Sequence, residues 1–299
     1  MGFRQAHGST RFRRTTLADK RLSFGPGRAI DLPPWQEAGT HKANLLSFLN
    51  FLPQKRSSPR DRIEIDLSDA IVYAIGDVHG CHRELLSLEE KIAADAANLP
   101  GRKLIIMLGD YIDRGPDSAK VLDHLIAPPP VGFERICLLG NHEAQALDYL
   151  DGRIPLDAWL ATGARSTLFS YDIDPEHLAA IYGAGAKLDD YIRANLPREH
   201  IEFMRSLPIL AYSDRFVFVH AGIRPGVPLL EQDEADLLYI RGEFFAASRR
   251  LERWVIHGHT PVEQPRLDGR RLGIDTSAFK TGRLTAVRIG GKTGRMLYS

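Results

Sequence analysis

The stretch AIGDVHG, Ala74 to Gly80, closes the apolar run Ile71-Val72-Tyr73-Ala74-Ile75 with a glycine, an acid and a histidine. An unbroken apolar run with β-branched residues suits a strand covered on both faces. Turn chemistry accounts for Gly76 and Gly80 but gives no reason for Asp77 and His79 to stand two residues apart at the strand's carboxyl end. Open α/β sheets gather their ligands at that end, so the stretch predicts a fold and a site together.

The same arrangement recurs along the chain. Short apolar runs appear at KLIIMLG, RICLLG, RFVFVHAG, WVIHGHT and RLTAVRI, each punctuated by glycine or polar residues. Between the early ones, CHRELLSLEEKIAADAAN places Leu85, Leu88, Ile92 and Ala96 on one helical face, and SAKVLDHLI follows the second strand. That order, β-α-β-α-β, predicts a layered α/β domain. Residues 143 to 208 read as mainly helical, and no repeat or linker divides residues 61–299, which are taken as one catalytic domain.

Composition bounds the rest. The chain has 299 residues, 43% of them hydrophobic, enough for a sizeable core. No apolar run approaches the roughly 20 residues that cross a bilayer, and the first 30 residues lack a secretory signal's apolar centre, so a soluble cytoplasmic protein is expected. Two cysteines, Cys81 and Cys137, are too few for a disulfide framework and read as reduced thiols. Residues 1–60 carry 11 Lys and Arg against 3 Asp and Glu, whereas the body is mildly acidic. This basic leader is expected to be largely disordered, with a short helix near 44–52 in LLSFLNFLP. It offers weak attraction to nucleic acid or an anionic surface.

Five strand ends carry the chemistry: GDVHG, GDYIDRG, GNHE, HAG and HGHTP. Singly each is weak, since an acid after glycine is usually a turn residue. Together they place histidines at four of five sites, which turns do not require. Carboxylate, imidazole and carboxamide donors without thiolates suit divalent manganese, iron or zinc. Two ions sharing one carboxylate can clamp a phosphoryl group during in-line displacement.

This set resembles the phosphoprotein phosphatase (PPP) branch of the calcineurin-like metallophosphoesterases, through most of residues 70 to 290. WLATGA (159–164), LLYIRGEF (237–244) and GIDTSAFKTGRLTAVRI (273–289) are similar to pieces of its bacterial and phage members, notably a Rhizobiales-like group. The resemblance implies two mixed β-sheets sandwiched between helices, with a dinuclear site at strand carboxyl ends. It implies two divalent ions, manganese first, with Asp77 and His79 on one, Asp110 bridging, and Asn141, His220 and His259 on the other. His142 would be the general acid, with Asp113 holding its ring. Arg114 and Arg241, with Asn141, would bind the substrate phosphate. Wider members often read GHxH where this chain has Pro261, which leaves the first ion fewer protein ligands. His257 is expected to be structural, and Glu143 to brace the site from a helix N-terminus.

The reaction implied is hydrolysis of phosphate monoesters, with phosphoserine and phosphothreonine on protein or peptide substrates first and phosphotyrosine open. The alternative is a symmetrical dinucleoside tetraphosphate hydrolase, which shares most motifs. In that group the second motif commonly lacks its second Asp and the third reads GNHD, so Asp113 and Glu143 favour the protein phosphatase. An inactive scaffold would be expected to have lost a ligand, and none is missing.

Overall fold

A computed structural model describes residues 21–23, 59–183, 185–290 and 293–299. Except for residues 21–23, 59 and 60, the expectations for the basic leader, including its short helix, lie outside the described residues.

Among the described residues twelve strands form two six-stranded sheets. The first runs β1 (Arg21–Ser23), β12 (Thr293–Tyr298), β11 (Thr285–Gly290), β3 (Ala70–Ile75), β4 (Arg102–Met107) and β5 (Phe133–Cys137). The second runs β2 (Arg62–Glu64), β6 (Leu210–Tyr212), β7 (Phe216–Val219), β8 (Trp254–His257), β10 (Arg271–Gly273) and β9 (Arg266–Asp268). Both sheets are mixed. Within the first, β3, β4 and β5 are parallel, and within the second, β7, β8 and β10 are parallel.

The alternation of β3 shows why its sequence is apolar throughout. Val72 and Ala74 join Leu104, Ile106, Phe218, Ile256 and Leu272 in the layer between the sheets. Tyr73 and Ile75 face the other way, into a cluster with Ile105, Met107 and the helices. Helix α1 (His82–Ala96) supplies Leu85, Leu88, Ile92 and Ala96, the face read from the sequence, and α2 (Ser118–Ile126) supplies Val121, Leu122 and Leu125. After α3 (Asn141–Leu150) come α4 (Leu156–Leu160), α5 (Ala164–Phe169), α6 (Pro175–Tyr182), α7 (Ala186–Asn195) and α8 (Arg198–Ser206), the expected helical middle. Helices α9 (Glu234–Tyr239) and α10 (Gly242–Ala246) lie between β7 and β8, and α11 (Ala278–Thr281) between β10 and β11. Among the described residues no helix is long and apolar enough to cross a membrane.

Register brings the loops to one edge. Ile75 pairs with Met107 and Met107 with Cys137, so β3, β4 and β5 end level. Val219 pairs with His257 and His257 with Gly273, so β7, β8 and β10 end level as well. The two triplets meet where Gly76, beyond β3, approaches Ile274, beyond β10: a Cβ on Gly76 would lie 2.7 Å from the Ile274 carbonyl oxygen.

Candidate active site

All six expected metal ligands are buried in one cluster at this edge. Asp110, after β4, lies at its centre. Its Oδ2 is 3.5 Å from His79 Nε2, and its Oδ1 is 3.4 Å from His220 Nε2. Asn141 Oδ1 lies 2.9 Å from His220 Nε2 and 2.8 Å from His259 Nδ1. Asp77 Oδ1 and Oδ2 accept a bifurcated hydrogen bond from the His259 backbone N–H at 3.1 and 3.0 Å. Two sets of donor atoms converge closely enough to hold a metal ion: His79, Asp110 and His142, and Asp110, His220 and His259.

The backbone is bent to achieve this. His79, Asp110, Asp113, Arg114 and His259 all have φ between 45° and 70°. Such left-handed conformations cost non-glycine residues of order 1–3 kcal/mol each and persist where the surroundings enforce them. Glycine is required at Gly140, where a Cβ would fall 2.2 Å from the Asp110 nitrogen, and at Gly258, where it would fall 1.9 Å from Asp77 Oδ1.

The donor set fits a cation. His220 Nδ1 is 3.0 Å from the Leu108 carbonyl and His79 Nδ1 is 2.9 Å from the Ile112 carbonyl, so each Nδ1–H donates outward. The His220 Nε2 lone pair then faces inward, at the Asp110 and Asn141 oxygens, whereas that of His79 accepts from Arg114 Nη1 and lies 3.5 Å from Asp110 Oδ2. Acceptor facing acceptor is unfavourable unless a positive charge lies between them, and outer hydrogen bonds that fix the tautomer are the usual support of a metal-binding imidazole. His259 Nε2 is buried with no hydrogen-bond partner.

Burial sets the protonation states. It pushes His79 down to about 3 and lowers His220 and His259, favouring neutral rings able to bind metal. Burial also acts to raise Asp110, but the imidazoles of His220, His142 and His79 hold it below the usual carboxylate range. Asp77 goes the other way, raised by burial and then by the charges of Asp275 and Asp110.

Beside this cluster stands a tethered imidazole. His142 Nδ1 donates to Asp113 Oδ2 at 2.7 Å, and its Nε2 is 3.8 Å from Asp110 Oδ2. Burial opposes its charge, yet Asp110 and the hydrogen bond to Asp113 outweigh burial and raise its pKa. Asp113 is itself fixed: Thr167 donates to Oδ1 at 2.6 Å and Trp159 Nε1 donates to Oδ2 at 3.3 Å. At the rim, Arg114 Nη1 is 2.8 Å from His79 Nε2. Arg241 is close enough for burial and then the Arg114 charge to lower its pKa. Both arginines are exposed.

Glu143 sits deeper than its helix-terminal position suggested. Its carboxylate accepts backbone N–H groups from Gly140 (3.0 Å), Asp110 (2.9 Å), Tyr111 (2.7 Å) and Ile112 (3.1 Å). It ties the start of α3 to the loop carrying Asp110. His257 is placed as expected: its Nδ1 donates to the Gly258 carbonyl at 3.0 Å, its ring contacts Phe244 and Phe245, and burial drives it to about 3. Burial pushes the Cys81 and Cys137 thiols up to about 12, as suits unreactive cysteines.

Three residues escaped the sequence reading. Asp275, beyond β10, lies close enough to Asp77 for the two carboxyl groups to influence each other and is raised to about 6, chiefly by burial, making a sixth strand end that delivers an acid to the site. Its signal was the acid two residues after Gly273 in GIDT. Trp159 and Thr167, the supports of Asp113, lie in or near WLATGA, and nothing in their local sequence marks the role.

Comparison with known proteins agrees with this geometry. The family model described as calcineurin-like phosphoesterase matches residues 71–276. The bis(5'-nucleosyl)-tetraphosphatase PrpE (asymmetrical) of Geobacillus thermodenitrificans is 32% identical over 235 residues, covering 72% of this chain and 88% of that protein. The protein of the same name from Bacillus anthracis is 29% identical over 239 residues, with the same coverage. Among solved structures, that of a candidate diadenosine tetraphosphatase superposes with a TM-score of 0.55 at 19% identity, covering 80% of this chain and 98% of that one, which supports the fold. The chain belongs to the calcineurin-like phosphoesterase family and carries His and Asp groups able to bind the metal ions of a phosphoester hydrolase.

Proposed function

We propose that the protein is a metal-dependent bis(5'-nucleosyl)-tetraphosphatase of the asymmetrical type, releasing a nucleoside monophosphate and a nucleoside triphosphate. The observation that carries this is the 32% identity to a relative so named, over 88% of that relative's length. The sequence had put a serine/threonine protein phosphatase first and a symmetrical dinucleotide hydrolase second. The relatives support dinucleotide hydrolysis over the first reading and the asymmetrical sense over the symmetrical one. The two residues that favoured the protein phosphatase have internal partners: Asp113 is held by His142, Thr167 and Trp159, and Glu143 by four backbone N–H groups.

In this reading Asp77, His79 and Asp110 would hold one divalent cation, and Asp110, Asn141, His220 and His259 a second, manganese first with iron or zinc as alternatives. Such a pair supplies Lewis-acid stabilisation of phosphoryl charge and a water acidic enough to attack phosphorus. Arg114 and Arg241 offer forked donors to the phosphate oxygens. His142 keeps one N–H on Asp113, and its raised pKa leaves the second N–H as a donor for the departing oxygen near neutral pH.

Metal-stripped protein given manganese, iron or zinc singly tests the reading against diadenosine tetraphosphate, p-nitrophenyl phosphate and phosphopeptides of serine, threonine and tyrosine. The expected result is metal-dependent formation of AMP and ATP, with kcat/KM for the dinucleotide above that for every phosphopeptide. A preference for a phosphopeptide, or two molecules of ADP, overturns it.

A further inference from the structure

We propose that the groove beside Arg114 is a nucleobase subsite, with Phe279 as its stacking platform. The inference rests on the dinucleotide reading above and assigns where one base of that substrate sits.

Phe279 lies on α11, half-buried. Its ring meets the His79 ring edge-on, centroids 5.3 Å apart, and the Arg114 Cζ stands 5.2 Å from its centroid. One aromatic ring therefore touches both a metal-site imidazole and a phosphate-site guanidinium. The same ring, with Lys280 Nζ also 5.4 Å from its centroid, borders a groove of about 410 Å³ lined by Ala278, Pro116, Arg83, Glu84 and Asp117. That volume is within the roughly 300–1,000 Å³ of small-molecule sites. Its wall borders the site's loops: it includes Gly80, next to His79 in sequence, and Pro116, two residues beyond Arg114.

Its chemistry suits a base better than a phosphate chain. Aromatic rings with a neighbouring arginine stack any nucleobase. Glu84 is paired with Arg83 and Asp117 with Lys120, and each carboxylate can still accept a hydrogen bond from an exocyclic amine of adenine. A base stacked on a ring that contacts His79 leaves ribose and one phosphate between it and the reacting centre. The phosphorus presented for attack is then the one attached to ribose. A water oxygen adds there as the bond to the bridging oxygen breaks, the electron pair leaves on the nucleoside triphosphate, and His142 can protonate it. The asymmetry of cleavage follows from how near the platform lies to the site.

The test compares AMP with ribose 5-phosphate as inhibitors of p-nitrophenyl phosphate hydrolysis by the manganese-loaded enzyme, a pair that differs only by the base. AMP should inhibit about 5- to 150-fold more strongly, the usual worth of one base on one aromatic ring. In Phe279→Leu that ratio should collapse toward one, and in Phe279→Trp it should persist. A ratio of one in the unaltered enzyme, or an undiminished ratio in Phe279→Leu, overturns the subsite, and the first result needs no variant to fold. Failure of the underlying function is a separate outcome: the unaltered enzyme would then leave diadenosine tetraphosphate intact, whereas failure of the subsite alone leaves the dinucleotide cleaved and the ratio at one.

Discussion

Replacing Gly258 by alanine adds one methyl group to a residue that binds no substrate, yet it should disable the site. The φ of Gly258 lies outside the left-handed region, so the backbone itself accepts alanine. The new Cβ would fall 1.9 Å from Asp77 Oδ1, whereas ordinary contact begins at 3.4 Å, so the two must separate by about 1.5 Å. Separation withdraws the Asp77 carboxylate from the His259 N–H, which it now accepts at 3.0 and 3.1 Å. Overpacking and one lost hydrogen bond to a charged group together should cost about 2–4 kcal/mol of stability. A displacement of about 1 Å at a reacting centre typically costs around 10²-fold in rate. Thermal unfolding, metal content and kcat/KM would be measured beside Gly242→Ala, a control whose Cβ would meet nothing within 4 Å. If Gly258→Ala retains full metal content and kcat/KM within about threefold of the control, Asp77 does not depend on this contact and the reasoning fails.

Asp113→Asn removes the charge that orients and charges His142. Turnover of an alkyl phosphate should fall about 10²-fold or more, whereas p-nitrophenyl phosphate, whose leaving group needs little protonation, should change far less. Equal losses on the two substrates would remove His142 from the role of acid. For pH, His257 is depressed from 6.5 to about 3 by burial, so the unfolded chain binds its proton more readily than the folded one. Its contribution is complete above pH 6.5 and is lost as pH falls toward 3, at about 1.4 kcal/mol per pH unit. Urea unfolding of His257→Gln and the unaltered protein between pH 6.5 and 5 should show the stability difference shifting toward the variant by that slope, and parallel curves would refute it.

The fold was legible where strand and site coincide. Five of the six strand ends that build the site follow apolar runs with a glycine and an acid, histidine or asparagine close behind, a pattern that serves both burial and chemistry. The helices α1 and α2 were legible because their apolar faces have helical spacing. What stayed hidden was short or distant. Strand β10 is three residues long, Arg271-Leu272-Gly273, too short for an apolar run to announce the strand end that carries Asp275. Trp159 and Thr167 reach Asp113 across 46 and 54 residues of chain, a contact that no local pattern encodes. Glu143 braces the site from the first turn of α3 as expected, but its partners were not legible. An acid in the first turn of a helix looks the same whether it faces a substrate, a dipole or, as here, the backbone of a neighbouring loop.

The two acids that the sequence treats alike, each following a glycine at a strand end, occupy opposite electrostatic positions. Asp110 is ringed by His220, His142 and His79, which keep it ionised despite burial. Asp77 is raised by burial and then by the carboxyl group of Asp275 and the charge of Asp110. An acid whose neighbours are imidazoles is ready to accept positive charge from two sides at once. In the proposed reading the shared position would fall to Asp110, at the centre of the imidazoles contributed by both sheets. Asp77 completes the site only when Gly258 lets it rest on the His259 backbone.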